Sequence, residues 1–329
     1  MFRYLLIVIL LFFLWFFWAS GDALKEGEVV AHKKEFEVAK EGDVFNIVTY
    51  NVGYFSGFAN EGLAVDKSVG FIEEKRTPDI IIEETKEILK DFEIDILATQ
   101  EIDRDSKRSQ DIDQVDEVAD ALSSPYSAFA VNWNKNFIPY PITKPSRWFG
   151  RTISGQAIFS KFKIVNHKSI KLTRPKQLPL RDSFYFDRLA QVVELDVGRS
   201  YPLFVINIHL DAFSADGAIV QSKEVLEIYR EYKDKGAVIL LGDFNNDIRD
   251  DKGNTTLDAF FDSDEIVITK KIFEEDDFTY PSSNAKIRID HILYDPDELS
   301  LINERTLKEV GNGSDHLPVI ATFSFIDEI

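Results

Sequence analysis

Short apolar runs that end on a polar side chain recur along this chain, and they indicate buried strands that open into loops. Five such runs have their polar ends at Asn51, Gln100-Glu101, His209, Asp243-Phe244-Asn245 and Asp290-His291. Apolar runs of about four to eight residues are typical of strands that are buried on both faces. Because neighbouring strands end at one edge of a sheet, we expect these polar groups to meet there despite their separation in sequence.

The remaining pattern predicts more strands than helices. Thr77-Pro78 supplies an N-cap and a first-turn proline for one helix, and apolar periodicity predicts further helices over 115–122 and 218–232. This balance favours a sandwich of mixed sheets over a doubly wound parallel sheet. The other predicted strands are 127–133, 155–160, 164–172, 189–197, 204–209, 238–241, 288–294 and 319–325, with an edge strand at 35–38.

The first 21 residues predict a membrane-directing segment. Arg3 precedes an uninterrupted apolar stretch over 4–19, and small residues follow at 19–21. A helix over 4–19 would reach about 24 Å, somewhat short of the about 30 Å of a bilayer core. The segment is therefore either a cleaved signal peptide or an uncleaved anchor, and both place the rest of the chain outside the cytoplasm. A buried core helix is disfavoured because the segment has no amphipathic face.

Beyond this segment the chain predicts a charged tether over 22–44 and one catalytic domain over 45–329. After residue 45 there is no repeat, low-complexity tract or long flexible linker, which favours a single domain. The chain contains no cysteine, so any metal must be bound by oxygen and imidazole. Carboxylates and amides suit Mg²⁺, Mn²⁺ or Ca²⁺ better than zinc.

Each polar motif also has a purely structural interpretation. Asp243 and the residues after it are typical of a turn that closes a strand, and Ser314-Asp315-His316 is typical of a loop hydrogen-bonding unit. His209 on its own would be a core histidine, and Glu101 would begin a charged loop. The joint occurrence of all these motifs in one chain favours a functional set.

Taken in order, the motifs resemble those of the endonuclease/exonuclease/phosphatase superfamily. Its members include deoxyribonuclease-I-type nucleases, exonuclease-III-type repair enzymes, bacterial sphingomyelinases and inositol polyphosphate 5-phosphatases. The resemblance covers about 45–325 and implies an α+β fold, a four-layer sandwich of two mixed β-sheets flanked by helices. The motifs that carry it are Tyr50-Asn51, Gln100-Glu101, Ile208-His209-Leu210, Gly242-Asp243-Phe244-Asn245, Ile289-Asp290-His291 and Ser314-Asp315-His316-Leu317-Pro318.

The resemblance implies a hydrolase that binds a divalent cation. Glu101 is similar to the metal-binding glutamate of the family, and Asp315 and Asn51 are expected to lie beside it. A phosphate ester resists attack because its oxygens are negative, so the site must neutralise charge and place a water in line. Mg²⁺ is the expected ion, with Mn²⁺ or Ca²⁺ as alternatives.

Five further residues are expected to carry out the acid-base chemistry. His316 is the candidate general base or phosphate-orienting group, and Asp290 would orient it. Asp243 would align or deprotonate the attacking water, and the choice between Asp243 and His316 as base stays open. Asn245 would donate to the phosphate, and His209 would stabilise the pentavalent oxygens or assist the leaving group.

The charge distribution bears on the substrate. The chain carries 38 basic and 57 acidic residues, a net charge of −19, which opposes non-specific binding to nucleic acid. Residues 121–181 nevertheless contain no acid. This basic window suggests phospholipid head groups, single-stranded nucleic acid or simply solvated faces. Its basic residues are Lys135, Lys144, Arg147, Arg151, Lys161, Lys163, Lys168, Lys171, Arg174, Lys176 and Arg181.

The sequence therefore predicts an exported, divalent-metal-dependent phosphoesterase that is monomeric and is membrane-anchored or secreted. It would hydrolyse a phosphate mono- or diester, on a lipid or a small molecule, by in-line attack of an activated water. An exported Mg²⁺-dependent nuclease is the alternative. A catalytically silent binding protein on the same fold is the third hypothesis, although no member of the polar set is replaced.

Overall fold

A computed structural model describes residues 2–23, 44–55, 78–143, 145, 148–246, 255–261, 263–272 and 274–326. The predicted strand at 35–38 and most of the predicted tether lie outside these residues. The helices are α1 (Phe2–Ser20), α2 (Pro78–Leu89), α3 (Gln114–Ala121), α4 (Pro179–Asp182), α5 (Ala215–Lys233) and α6 (Asp258–Phe261). The strands are β1 (Val44–Asn51), β2 (Ile96–Ser106), β3 (Tyr126–Ile138), β4 (Gly150–Ser160), β5 (Lys163–Lys171), β6 (Leu189–Asp196), β7 (Leu203–His209), β8 (Ala237–Asp243), β9 (Val267–Ile268), β10 (Asp290–Tyr294), β11 (Leu299–Thr306) and β12 (Val319–Phe325).

The strands form two six-stranded sheets with the orders β11-β12-β1-β2-β4-β3 and β5-β6-β7-β8-β10-β9. Each sheet is mixed. β1 and β2 run parallel in the first sheet and β7 and β8 run parallel in the second, while the other paired neighbours run antiparallel. The predicted α+β fold with two mixed sheets is therefore confirmed.

Three buried apolar layers separate the sheets and helices into a four-layer sandwich. The alternation along β1 shows how the layers arise, because Ile47 packs into the core between the sheets whereas its neighbour Val48 packs with Ile81 of α2. On the far side, Tyr229 of α5 packs against Leu240 of the second sheet. Side chains on a strand point alternately to its two faces, so a continuous apolar run fills both layers.

A buried network of amide side chains links the two sheets within this core. Asn207 of β7 accepts a hydrogen bond from Gln100 Nε2 at 2.7 Å, and its own amide donates to the Thr99 carbonyl at 3.0 Å and to Gln191 Oε1 at 3.1 Å. Gln156 Nε2 of β4 donates to the Asn207 carbonyl at 2.9 Å. Because a buried polar group is costly unless it is bonded, these contacts favour a single alignment of the sheets.

Some helix and strand boundaries differ from the predicted ones, and one strand at a sheet edge was not predicted. The predicted helix 218–232 begins earlier, because Ser214 Oγ accepts a hydrogen bond from Gly217 N at 3.1 Å and caps α5. The predicted strand 127–133 continues to Ile138. Strand β11 is missing from the predictions. Its residues are mostly polar and half-buried at the sheet edge, and a register shift between Leu301 and Asn303 breaks the alternation.

Gly242 allows the close approach of β7 and β8 below the polar strand ends. Its φ is +140°, and a Cβ at this position would lie 2.0 Å from the Ile208 carbonyl oxygen. Gly311 also has a positive φ, of +60°, but a Cβ there would meet nothing within 4 Å. An alanine would strain the backbone at both positions, but it would also overlap other atoms at Gly242. Comparison of the two positions therefore distinguishes steric overlap from backbone strain.

We expect Gly242→Ala to lower the free energy of unfolding by about 3 kcal/mol or more, because the new methyl group overlaps backbone. The matched control, Gly311→Ala, is expected to cost only about 1 kcal/mol. Urea unfolding followed by circular dichroism measures both. Equal costs for the two variants would contradict the steric argument.

Candidate active site

The ends of three neighbouring strands of the second sheet bring polar residues into register. Asp243 at the end of β8 pairs with His209 of β7 on one side and with Asp290 of β10 on the other. From the first sheet, Asn51 Nδ2 donates a hydrogen bond to Asp243 Oδ2 at 2.9 Å. The predicted residues of β1, β7, β8 and β10 therefore meet at one end of the sandwich, as the strand pattern indicates.

His316 and Asp290 form a buried pair. His316 Nδ1 lies 2.8 Å from Asp290 Oδ2, which matches the predicted orienting contact. The other imidazole nitrogen, Nε2, faces Asp243 Oδ2 at 3.8 Å. Burial alone would lower the pKa of His316, but the carboxylates of Asp290 and Asp243 outweigh it and raise the pKa well above its usual value. In the metal-free protein the His316 imidazole therefore favours its protonated form at neutral pH, and it must lose that proton before it can act as a general base.

Asp243 is poised to exchange a proton near neutral pH. Burial raises its pKa to about 7, and the charge of Asp290 adds to this rise, while His316 and the hydrogen bond from Asn51 oppose it. Asp243 Oδ1 also accepts a hydrogen bond from the backbone N–H of Asn245 at 2.8 Å. This bond forms the strand-closing turn that the sequence analysis gave as the structural alternative for Asp243. The turn and the site therefore use the same carboxylate.

Asn245 has a left-handed backbone with φ of 51°. Its Nδ2 donates to the Leu210 carbonyl at 2.9 Å, so one of its two amide hydrogens is used within the protein. The role predicted for Asn245, donation to a phosphate, would use the other hydrogen.

Glu101 reaches the site through an irregularity in β2. The register between β2 and β4 shifts between Thr99 and Ile102, and Glu101 has a φ of 54°, in the left-handed region. Such a bulge redirects a side chain away from the regular alternation. The Glu101 side chain is 27% exposed, and its Oε1 lies 3.8 Å from His209 Nε2.

His209 is a neutral member of the cluster. Burial, with the nearby charges of Arg188 and His316, lowers its pKa well below the usual value. Its Nε2 lies 3.5 Å from Asp243 Oδ2 and therefore links Glu101 to the Asp243 group. A neutral imidazole can orient an oxygen atom without adding a positive charge.

Two sets of residues fit a divalent cation by their donor chemistry. Burial raises the pKa of Glu101, and the like charge of Asp315 adds to the effect, an arrangement that a cation between the two carboxylates would relieve. Asp243, Asp290 and His316 also place three ligand atoms within 4.8 Å of one another, and the buried Asp290 Oδ1 has no hydrogen-bond partner. Oxygen-rich sets of this kind suit a hard cation. The predicted ligands Asn51, Glu101 and Asp315 stay a prediction.

Arg188 is a site residue that the sequence analysis missed. Its side chain is only 2% exposed, its Nε has no hydrogen-bond partner, and no carboxylate of the described residues pairs with it. Its positive charge nevertheless acts to lower the pKa of both Glu101 and His209. A buried arginine without a carboxylate partner is a candidate anion-binding group, because guanidinium groups bind phosphate in a bidentate manner. One arginine before an apolar strand gives no recognisable sequence signal.

Tyr280 and Ser314 complete the cleft. The Tyr280 ring lies 5.1 Å from the His316 ring, and burial raises its pKa, with the charges of Asp315, Asp243 and Glu101 adding to the rise. Ser314 Oγ donates to the Asn51 carbonyl at 2.7 Å and ties the C-terminal loop to β1. Neither role was predicted, although Ser314 lies within the terminal motif.

The basic window over 121–181 does not form a single positive surface. Five of its residues pair with acids that lie outside it in sequence, which favours the interpretation as solvated faces for much of the window. The pairs are Lys135–Asp22 at 3.2 Å, Arg151–Asp105 at 2.8 Å, Lys161–Asp95 at 3.2 Å, Lys171–Asp187 at 2.6 Å and Arg174–Asp182 at 2.8 Å.

Comparison with known families agrees with this geometry. The sequence profile of the Endonuclease/Exonuclease/phosphatase family matches residues 48–316. The chain belongs to this family. Its match extends from the first strand of the sandwich to His316, the last residue of the cleft.

Solved structures of this family share the fold. An endonuclease/exonuclease/phosphatase from Beutenbergia cavernae is 16% identical with a TM-score of 0.64, covering 86% of this chain and 72% of its own. The mannosyl-6-phosphatase of Bacteroides thetaiotaomicron is 17% identical with a TM-score of 0.57, covering 86% and 100%. The human Nocturnin catalytic domain, with bound sulfate, is 18% identical with a TM-score of 0.58, covering 86% and 94%. A search of curated protein sequences finds no match.

We expect Asp290→Asn to lower the pKa of His316, because the variant removes a carboxylate 2.8 Å from Nδ1. Titration of the imidazole signals by NMR in metal-free protein measures this change. The matched control is Asp295→Asn, a buried aspartate paired with Lys233 away from the cleft. An unchanged His316 titration in Asp290→Asn would contradict the assigned pair.

Proposed function

We propose that this protein is an exported, divalent-metal-dependent phosphoesterase in which an activated water attacks phosphorus in line. One observation carries the proposal: His316, Asp290, Asp243, His209 and Glu101 are linked by successive contacts of 2.8 to 3.8 Å in one cleft. Proteins of the family act on phosphoester bonds, and one fold neighbour is named a mannosyl-6-phosphatase. Among the described helices, only the N-terminal one is apolar and long enough to cross a membrane, which supports export.

The cation supplies charge neutralisation at a phosphoryl oxygen. Glu101 and Asp315 would hold it, with the amide oxygen of Asn51 nearby. Asn51 Oδ1 already accepts the Gly53 N–H at 3.0 Å, which fixes its orientation and leaves its second lone pair for the ion. The alternative set is Asp243, Asp290 and His316.

The proton of the attacking water would pass to Asp243 or His316. Their facing atoms, Oδ2 and Nε2, are 3.8 Å apart, close enough for both groups to contact one water. Asp290 would stabilise the imidazolium that forms. Arg188 would bind the phosphate oxygens, and the neutral His209 would orient a developing oxyanion at the leaving side.

His316→Ala and Asp243→Asn are each expected to lower kcat by about 10²-fold to 10⁴-fold, because each removes a proton-transfer group. Hydrolysis of a chromogenic phosphodiester and a chromogenic phosphomonoester in Mg²⁺ or Mn²⁺ measures the effect. Chelation of the wild-type enzyme should abolish turnover, and Mg²⁺ should restore it. The matched control is Asp295→Asn, which changes a buried aspartate paired with Lys233 away from the cleft. Full turnover in both site variants would defeat the proposal.

Arg188→Ala is expected to lower kcat/KM by about tenfold to a hundredfold, because a charged hydrogen bond contributes about 1.5–3 kcal/mol. Arg188→Lys should restore part of the loss if charge is the dominant contribution. Arg199→Ala serves as the control, since this guanidinium lies over Phe325 at 4.7 Å instead. Wild-type kinetics in Arg188→Ala would exclude Arg188 from substrate binding.

Nucleic-acid substrates distinguish the nuclease alternative from the proposed phosphoesterase. Incubation with plasmid and RNA across metals and salt concentrations should give no nicking if the phosphoesterase proposal is correct, since the chain carries a net charge of −19. Cleavage of either polymer at rates above those for small esters would favour the nuclease instead. Specific metal binding without turnover on any substrate would favour the silent binding protein.

A further inference from the structure

The carboxyl end of α1 is attached to the catalytic domain, whereas the rest of the helix projects from it. Ala19 is fully buried and Phe16 is half-buried, while all side chains over 3–15 are exposed. The exposed part is almost wholly apolar, which is unfavourable in water and favourable in a bilayer. The helix is therefore anchored to the protein at one end and uncovered along most of its length.

Three consecutive residues near the end of β3, Asn134 to Asn136, form the seat for α1. Lys135 and Asn136 donate to carbonyls at the end of α1 and directly after it, where carbonyls have no partner within a helix, and Asn134 accepts a hydrogen bond from Ala23. The hydrogen bonds join Lys135 Nζ to the Ser20 carbonyl at 2.9 Å, Asn136 N to the Gly21 carbonyl at 2.9 Å, Asn136 Nδ2 to the Trp18 carbonyl at 3.0 Å and Ala23 N to Asn134 Oδ1 at 2.8 Å.

The seat coincides with the small-residue sequence 19–21, the predicted cleavage site of a signal peptide. Cleavage after residue 21 would remove the carbonyls to which Lys135 and Asn136 donate and would expose the surface on which Ala19 is buried. The folded domain thus has a surface that hydrogen-bonds to the end of α1 and buries Ala19. These contacts favour a retained anchor over a removed signal.

Aromatic contacts join the anchor to a connection that carries an exposed apolar residue. Phe137 lies 6.3 Å from the Trp18 ring of α1 and 5.6 Å from Trp148 at the end of the β3–β4 connection. Within that connection, Ile142 is 76% exposed. Clusters of exposed apolar residues beside a membrane helix are typical of an interface with the bilayer.

A second exposed apolar segment also reaches α1. Leu178 and Leu180 of the α4 turn are 77% and 67% exposed, and the chain continues from them to Phe184, whose ring contacts Phe16 of α1 at 5.4 Å. The exposed cations Lys176 and Arg181 flank the two leucines. In an acidic protein this local combination of cations and leucines fits an anionic membrane surface.

The same segment leads directly into the cleft. Beyond Phe184, the rings of Tyr185 and Phe186 stack at 4.7 Å, and the Arg188 guanidinium lies 4.8 Å from the Phe186 ring. The Phe184 carbonyl accepts the Trp133 Nε1 hydrogen at 2.9 Å, which fixes this stretch against β3. Only three residues therefore separate Phe184, which contacts the anchor, from Arg188, the candidate phosphate-binding group.

We infer that α1 is a permanent anchor that seats the Ile142 and Leu178–Leu180 loops on the bilayer surface, so that the cleft faces phosphate head groups of that membrane. The substrate class is then a phosphoester of a membrane lipid. The substrate part of this inference rests on the proposed function, whereas the docking part does not.

The absence of cysteine allows a direct test of docking. Full-length protein carrying Leu178→Cys is labelled with an environment-sensitive fluorophore and reconstituted into vesicles of phosphatidylcholine and phosphatidylglycerol. The emission should shift to the blue relative to detergent. The matched control is Ile302→Cys, at an exposed position of β11 on the opposite edge of the first sheet, which should not shift. No shift at Leu178, or a shift in detergent that grows with protein concentration and so indicates a second copy, overturns docking.

Retention of the helix is tested by the intact mass of protein extracted from the membranes of expressing cells. The mass should include residues 1–21. A mature chain that begins near residue 20 overturns the permanent anchor.

The substrate class is tested with the double variant Leu178→Ser/Leu180→Ser in the same vesicles. Hydrolysis of vesicle phospholipid should fall by about tenfold, because two apolar contacts with the bilayer are lost, while hydrolysis of a water-soluble chromogenic phosphoester stays unchanged. If the wild-type protein hydrolyses the soluble ester but no vesicle lipid, the lipid inference fails and the proposed function stands. If it hydrolyses neither, the proposed function fails, and the fluorescence result still decides the docking.

Discussion

The buried amide network between the two sheets is the constraint on which the cleft depends. Asn207, Gln100, Gln191 and Gln156 hydrogen-bond to one another and to backbone carbonyls within an otherwise apolar core. Apolar contacts tolerate sliding of one sheet over the other, whereas directional bonds in a low-dielectric interior do not. Since Gln100 precedes Glu101 and Asn207 lies two residues before His209, this alignment also fixes where the polar strand ends meet.

Local strain and like charge are concentrated at the end of the sandwich that carries the cleft. Glu101 and Asn245 have left-handed backbones, and Asp243 and Asp290 lie side by side in register. Such features cost stability and persist only where the surrounding structure enforces them. The three apolar layers supply that support, so the cleft is formed before any ligand arrives.

The sequence was sufficient to predict the strands that carry candidate chemistry, because each is a continuous apolar run with a polar end. The order of these ends also identified the family, which the profile match confirms. Arg188 and Tyr280 were not predictable, since their importance comes from burial beside groups distant in sequence. The choice among the three interpretations of the basic window was not predictable for a similar reason, because the partners of its cations, such as Asp95 and Asp105, lie outside it in the chain. Family membership implies the reaction class, but the surroundings of the cleft determine the substrate.

The seat of α1 has a consequence for self-association. β3 is the outermost strand of the first sheet, and the Gly21 carbonyl accepts the backbone N–H of Asn136 near its end. Unpaired strand edges recruit strands from other molecules, and natural proteins cover them to prevent aggregation. The residue that follows the helix thereby also covers a backbone donor at one end of this sheet edge. A truncated chain that starts after residue 21 would expose that donor, and intermolecular strand pairing there would lower its solubility without any misfolding of the sandwich.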